Sequence, residues 1–230
     1  MKTKSKGPGV QEMFNAIAGR YDLMNRVMTM GQDQKWRRFV VKKAGDPGGG
    51  WSLDLATGTG DIAALMIDTY QNSRLTGADF AQNMLREARK RFIGKAINWL
   101  GCDANNLPYK DDVFESVTFG YLLRNVDDSS KVLKEVFRVL RVGGRVVCLD
   151  TTPPAKNLFY PLLQFYFRIC IPAMGKFIAD DESAYAYLTG STMDFHMAEE
   201  LASVFREAGF TQVGFKKFMF GTIAVHWGVK

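Results

Sequence analysis

The chain is short of the residues that build disulfide frameworks, metal centres and membrane spans. Its three cysteines, Cys102, Cys148 and Cys170, lie far apart with no Cys-x-x-Cys pair. An odd number without ligand spacing argues against disulfides and against a zinc site, and describes buried thiols in a reducing compartment. Of two histidines, His196 reads as a loop or capping residue and His226 as a strand residue in "IAVHWGV". The N-terminus lacks an apolar h-region, so no secretory signal is expected. The most apolar stretch, "NLFYPLLQFYFRICIPAMGKFI" (157–178), is interrupted by Pro161, Gln164, Arg168 and Pro172, which excludes a spanning helix. No internal repeat and no low-complexity segment occurs.

What is present fits an enzyme-sized domain. The 230 residues are 47% hydrophobic and 23% charged, enough for one large domain with an appendage. The net charge of +6 suits anionic ligands, nucleic acid or an anionic membrane surface and decides between none of them. Much of it is local, in "MKTKSK" and in "KWRRFVVKK". The second reads as a solvated face, with contact to lipid headgroups as the alternative.

Residues 1–9 read as a flexible basic tail and 10–230 as a single domain. Apolar positions at helical spacing, Val10, Met13, Phe14, Ile17 and Tyr21, then Leu23, Met24, Val27 and Met28, predict a helical arm over 10–45, broken at Gly19 and ended at Gly45. From Trp51 the period changes. Short apolar runs ("WSLDLA", "RLTGAD", "INWLGCD", "SVTFGY", "GRVVCLD") alternate with helical segments, the pattern of a mainly parallel α/β sheet. The helix from Ser129 takes Gly143-Gly144 as its stop signal. After Asp150 the alternation lapses into a helical insertion, 157–189, rich in aromatics. Phe159, Tyr160, Phe165, Tyr166 and Phe167 are packing or a lid for a greasy chain. An amphipathic helix and two strands around Met219-Phe220-Gly221 then close the chain as a hairpin.

The chemistry starts at "DLATGTGDIA" (54–63). A strand, a glycine turn and a helix bring backbone N–H groups to a ligand beyond the strand ends. Gly58-x-Gly60-x-x-Ala63 fits a nicotinamide dinucleotide as written; the surroundings do not. Asp54 puts a carboxylate inside the first strand, which a cationic sulfonium cofactor with an amino-acid tail could use. Asp79, ending the second strand, can accept from ribose hydroxyls. Asp103 and Ala104, ending the third, are placed for an adenine. No second phosphate loop follows, and no lysine follows the glycines, which excludes a P-loop.

With "GADFAQNMLREARK", "DANNLPYKDDVFESVTFGYLLRNVDD" and "EVFRVLRVGGRVVCLD", this loop resembles the class I S-adenosylmethionine-dependent methyltransferases. More narrowly, "MFNAIAGRYDLMNRVMTMGQDQKWRR", "LLRNVDD", "AYAYL" and "GTIAVHWGVK" are similar to the C-methyltransferases of ubiquinone and menaquinone biosynthesis, over nearly the whole chain after the tail. The resemblance implies a Rossmann-like seven-stranded, mostly parallel sheet with one antiparallel strand in the closing hairpin. It implies S-adenosylmethionine bound by Gly58, Thr59, Gly60, Asp79, Asp103 and Ala104, with Tyr21 closing over it from the arm, and no metal. The implied reaction is C-methylation of a prenylated hydroquinone, demethylmenaquinol to menaquinol foremost, with Arg124 stabilising a developing phenolate and Asn125 holding the second hydroxyl. Nucleic acid is no partner. The implied location is cytoplasmic, and peripheral contact at the inner membrane face and a homodimer stay open.

The chain also departs from the family. Gly120 stands where a serine is usual, "LDTTPP" (149–154) replaces Leu-Glu-Phe-Ser-Lys-Pro, and Thr189-Gly190 intervene after "AYAYL". Another small aromatic or lipid acceptor is therefore the alternative substrate. A nicotinamide oxidoreductase and a non-catalytic scaffold are the alternative classes. Asp150 and His226 are the candidate general bases.

Overall fold

A computed structural model describes residues 7–154, 160–176 and 182–230. Residues 1–6 of the expected tail, and 157–159 and 177–181 of the expected insertion, lie outside the described residues. The first helix, α1, already begins at Gly7, inside the stretch read as tail.

Seven strands form one sheet: β1 Trp51–Leu55, β2 Arg74–Asp79, β3 Ile97–Gly101, β4 Phe114–Gly120, β5 Leu140–Thr151, β6 Thr211–Phe218 and β7 Ile223–Val229, ordered β3-β2-β1-β4-β5-β7-β6. Only β7 runs against its neighbours, pairing antiparallel with both β5 and β6. The first two strands are buried at every position but the first, because helices cover both faces. On one face α6 (Ser129–Val139) and α10 (Ala198–Glu207) bury Val132, Leu133, Val136, Leu201 and Phe205 against the sheet. On the other, α3 (Asp33–Ala44) and α4 (Asp61–Thr69) bury Trp36, Val40, Val41, Ile62 and Met66. Trp36 and Phe205 are essentially fully buried, each worth roughly 2–3 kcal/mol of transfer free energy.

Two local expectations change. Gly143-Gly144 do not stop α6. The helix passes directly into β5 at Leu140, and the glycines lie within that strand, where a Cβ on Gly144 would approach the Arg141 carbonyl to 2.7 Å. The cap at the other end is Asp128 rather than Ser129, its carboxylate accepting from the Lys131 N–H at 3.0 Å.

The arm comprises α1 (Gly7–Ile17), α2 (Tyr21–Met28) and α3. The insertion comprises α7 (Tyr160–Phe165), a π-turn (Tyr166–Cys170), α8 (Ile171–Met174) and α9 (Glu182–Met193). Arm and insertion share a third core with the start of α5 (Gln82–Arg91). In it Ile17 and Met24 meet Met84, Phe167, Ile171, Tyr185 and Leu188. The Tyr166 hydroxyl donates to the Met28 carbonyl at 2.6 Å, tying the two together. Tyr185 fills space left by Gly175, whose absent Cβ would lie 2.6 Å from the ring. Of the aromatic run in the insertion, Phe167 and Tyr166 are thus packing, whereas Phe165 is 53% exposed.

Candidate active site

The chain reverses direction across the sheet between β1 and its neighbours β2 and β4, and a crevice opens beyond the carboxyl ends of those strands. A cavity of about 420 Å³ fills it, roofed by the arm. Tyr21, Gly58, Asp79, Asp103, Ala104 and Asn125 of the sequence-predicted site all line it, from five separate places in the chain. Thr59, Gly60 and Arg124 do not.

The glycine loop shows why. Gly58 has a φ of 56°, and a Cβ there would meet nothing within 4 Å. It leaves its backbone open to a ligand. Gly60 has a φ of 89°, and a Cβ would lie 2.7 Å from Trp99 and 3.1 Å from Phe92. Its lack of a side chain serves packing on β3 rather than approach of a cofactor. Thr59 is turned to the arm, donating from Oγ1 to Asp22 at 2.7 Å. It lines a smaller recess of about 40 Å³ that continues past Gly58, as does Asp54.

Asp54 is the anchor of the loop. It is 1% exposed, and its carboxylate accepts from the hydroxyls of Thr57 at 2.6 Å and Thr118 at 2.7 Å and from the Ala63 N–H at 3.2 Å. Burial pushes its pKa up to about 6, against those hydrogen bonds. Asp79 is pushed up to about 6 for the same reason. It accepts from the Gly58 and Ala81 N–H groups, both at 2.8 Å, so the second strand end fixes the loop that it shares the cavity with. Asp103 is exposed. One oxygen organises its own turn, accepting from Asn105 N and Nδ2 at 2.8 Å. Ala56 and Tyr121, which follow β1 and β4, are left-handed, with φ of 50° and 59°. Each costs on the order of 1 kcal/mol, and both line the cavity.

On the acceptor side, Asn125 donates from Nδ2 to the Tyr121 carbonyl at 2.7 Å, while its buried Oδ1 has no hydrogen-bond partner among the described residues. A buried amide oxygen without a donor costs roughly 1–3 kcal/mol, and the residue that carries it lines the cavity. Arg124 is buried and turned to the substituted "LDTTPP" segment. Its Nη1 donates to Thr151 Oγ1 at 2.9 Å and Thr192 Oγ1 at 3.4 Å, and its Nε lies 3.8 Å from Asp150. The guanidinium stands 5.1 Å from the Tyr121 ring. It lines a second cavity of about 580 Å³, which meets the first at Val126 and Asp127.

The candidate bases are removed from both. Asp150 is 1% exposed, pushed up to about 6 by burial, and accepts from the Thr151 and Arg124 N–H groups. His226 is buried in β7 with its pKa pushed down to about 4 by burial, so the neutral ring donates from Nε2 to the Ala198 carbonyl at 2.8 Å. It packs on Phe205 and Phe215. Neither residue is among those lining these three cavities.

The whole chain, residues 1–230, matches the model of the ubiE/COQ5 methyltransferase family. The chain belongs to that family. It is 70% identical to the ubiquinone/menaquinone biosynthesis C-methyltransferase UbiE of Desulfotalea psychrophila, over 98% of this chain and 92% of that one. It is 40% identical to the demethylmenaquinone methyltransferase of Alkalihalophilus pseudofirmus, over 99% and 98%. Solved structures share the fold at low identity. A SAM-dependent methyltransferase of Thermotoga maritima has a TM-score of 0.68 at 19% identity over 95% of this chain and 98% of that one. Phosphoethanolamine N-methyltransferase 2 of Haemonchus contortus, in complex with S-adenosyl-L-methionine, has 0.63 at 14% over 85% and 52%. Membership makes the chain a methyltransferase using S-adenosylmethionine, and the nicotinamide alternative falls. The residues fit that group: an open cradle at Gly58 and carboxylates at two successive strand ends.

Several lining residues escaped the sequence reading. Val10, Gln11, Phe14 and Phe80 wall the cavity. Their helical or strand-end spacing signalled only packing. "KWRRFVVKK" is solvated on one side only: Lys35, Arg38 and Lys42 are exposed, whereas Trp36, Arg37, Val40 and Val41 are buried.

Proposed function

We propose that this methyltransferase moves the methyl group of S-adenosylmethionine to a ring carbon of a prenylated hydroquinone, of the demethylmenaquinol kind that its relatives' names describe. The observation that carries the reading is the single cavity joining Asp103–Ala104, Asp79 and Gly58 to the unpartnered Oδ1 of Asn125 under an apolar roof. When bound, the cofactor supplies an electrophilic methyl. Asp103 and Ala104 hold the adenine, Asp79 the ribose, and Gly58 and Tyr21 enclose the methionyl part.

The protein's own task is alignment and charge. Asn125 accepts from a hydroxyl of the acceptor and fixes the ring. Arg124 acts from behind the wall: permanently charged, buried, and held by Thr151 and Thr192, it favours the phenolate through space. Its field already draws the phenols of Tyr21 and Tyr121 toward ionisation, though burial outweighs it at both. The hydroxyl proton, and the ring proton released after methyl transfer, pass to water, so no dedicated side-chain base is needed where the hydroxyl is acidified in this way.

The greasy tail of such an acceptor leaves along Val10, Phe14, Phe80 and Met84; the second cavity, lined by Asp127, Asp128, Asp194 and Glu207, is too acidic for it. Beyond that wall α2 exposes Leu23 and Val27, the turn after it exposes Met30, and the adjoining insertion exposes Leu162, Phe165 and Ile169. We infer peripheral contact with a membrane through this face. Among the described residues no helix is long and apolar enough to cross one.

The test is a panel of chemically reduced quinones offered to purified protein with methyl-labelled cofactor. Label on a ring carbon of a demethylmenaquinol is expected. Label on oxygen, or only on non-quinol aromatics, would overturn the acceptor reading.

A further inference from the structure

Arg37 is the residue in "KWRRFVVKK" whose place the reaction has not yet explained. It is 6% exposed at the middle of α3, yet its guanidinium reaches the carboxyl end of the sheet. Nη1 donates to Asp33 Oδ2 at 2.8 Å and is ion-paired with Asp61 in the first turn of α4. Both contacts use one nitrogen of a fork that has two more to offer. Around it the charges alternate: Arg26 on Asp33 at 3.4 Å, and Arg91 on Asp61 at 2.7 Å. Burying an arginine in such a net is costly beside an apolar filler of the same volume, so the net is weak grounds for stability alone.

The recess past Gly58 gives it a use. That recess shares Tyr21, Gly58 and Tyr121 with the main cavity, and among its described lining residues Arg37 is the one cation, standing with the carboxylates Asp54 and Asp61. A molecule laid with adenine at Asp103–Ala104 and ribose at Asp79 runs toward Gly58, and what projects further enters the recess. In S-adenosylmethionine that part is the amino-acid tail, which carries the molecule's one carboxylate. A buried carboxylate needs a cation or several donors, and an arginine fork matches its two oxygens. We propose that Arg37 is the receptor for the α-carboxylate of the cofactor. The assignment rests on the adenosylmethionine reading of the main cavity and adds the end of the molecule that no sequence motif had placed.

The test is calorimetric binding of three adenosyl thioethers: S-adenosylhomocysteine, its decarboxylated analogue, which keeps the amine, and 5′-methylthioadenosine, which has no tail. Wild-type protein is expected to bind S-adenosylhomocysteine at least tenfold more tightly than the decarboxylated analogue; equal affinities would overturn the proposal whatever any variant does. Arg37→Gln is expected to weaken S-adenosylhomocysteine at least tenfold and to leave the other two within twofold. Loss of all three to the same degree would make Arg37 a support of the arm and overturn the assignment. Should Arg37→Gln fail to fold, Arg37→Lys keeps the charge but not the fork, and a loss confined to the carboxylate-bearing ligand is again expected. Wild-type protein that binds none of the three would instead overturn the cofactor reading itself, a result visible before any substitution is made.

Discussion

The two walls of the main cavity are made by different means. The sheet wall consists of Gly58, Asp79, Asp103–Ala104 and Tyr121, each within three residues of a strand end, and the strand ladder fixes where each one stands. The arm wall consists of Val10, Gln11, Phe14 and Tyr21, brought from the far end of the chain and held by the small apolar core shared with the insertion and α5 and by a few polar ties. Gln11 donates to the Phe80 carbonyl at 2.6 Å, Asn83 N to Asn15 at 2.8 Å, and Asp22 meets both Thr59 and Arg91. The first wall is as stable as the fold. The second can open without unfolding it, because local stability follows the number of buried contacts a segment makes. A cofactor roofed by the arm requires that asymmetry.

The largest effect is expected on the sheet wall. Asp79→Ala strands the N–H groups of Gly58 and Ala81 and removes the proposed ribose acceptor. Stability is expected to fall by about 3 kcal/mol, read by urea unfolding. Affinity for S-adenosylhomocysteine is expected to fall at least a hundredfold, read by calorimetry. A variant that loses stability and keeps its affinity would move the ribose elsewhere.

His226 separates the sheet as scaffold from the sheet as site. Its pKa is pushed down to about 4 by burial, so the unfolded chain takes up the proton first as pH falls below about 6.5. The stability that the neutral ring contributes is complete at pH 7 and is lost as pH falls toward 4. His226→Phe should therefore gain up to about 3 kcal/mol relative to wild type between pH 7 and pH 4, with turnover at pH 7 within a few-fold. A collapse of turnover in folded His226→Phe would restore it as a base. Asp54, Asp79 and Asp150, all pushed up to about 6, act in the opposite sense over pH 4 to 6, which is why the comparison is made against wild type and not read from one protein.

The glycine loop gives the next contrast. Gly60→Ala drives a Cβ into Trp99 at a left-handed position and is expected to cost about 2 kcal/mol of stability with affinity nearly unchanged in the folded protein. Gly58→Ala meets no atom within 4 Å, so it is expected to cost at most about 1 kcal/mol and to lose cofactor affinity instead. The reverse pattern would exchange the roles assigned to the two glycines.

That contrast also marks what was legible in the sequence. Strand, loop and helix order, the closing hairpin and the carboxylates at successive strand ends follow from local pattern, and the sheet wall with them, whereas the one antiparallel strand came from the family resemblance. Gly58 and Gly60 look alike in "TGTGD" because the motif records a backbone requirement, not what stands opposite. Trp99, which distinguishes them, comes from two strands further along the chain. The glycine pair at Gly143-Gly144 misled for a related reason: a stop signal for α6 was instead a close approach to the Arg141 carbonyl inside β5. Arg37 was hidden because burial of a basic residue depends on carboxylates that the linear pattern does not place beside it. Arg124 was visible in "LLRNVDD", but the side of the wall it faces is set by Thr151 and Thr192.

The smallest effect belongs to the arm wall and tests whether it is a lid. Asp22→Ala removes the acceptor of Thr59 Oγ1 and the 2.6 Å partner of Arg91. Both groups of that ion pair are about a third exposed, so the expected loss of stability is below about 1 kcal/mol. The kinetic effect should be larger than the thermodynamic one, because the contact ties the arm to the loop without entering either core. Dissociation of S-adenosylhomocysteine is expected to quicken severalfold in Asp22→Ala, and limited proteolysis to cut the arm sooner. Raising salt from low to high ionic strength should quicken dissociation from wild type and leave the variant unmoved, since the screened pair is already gone. Equal salt dependence in the two proteins would show that the arm is held by its apolar contacts with the insertion, and that the two walls open together.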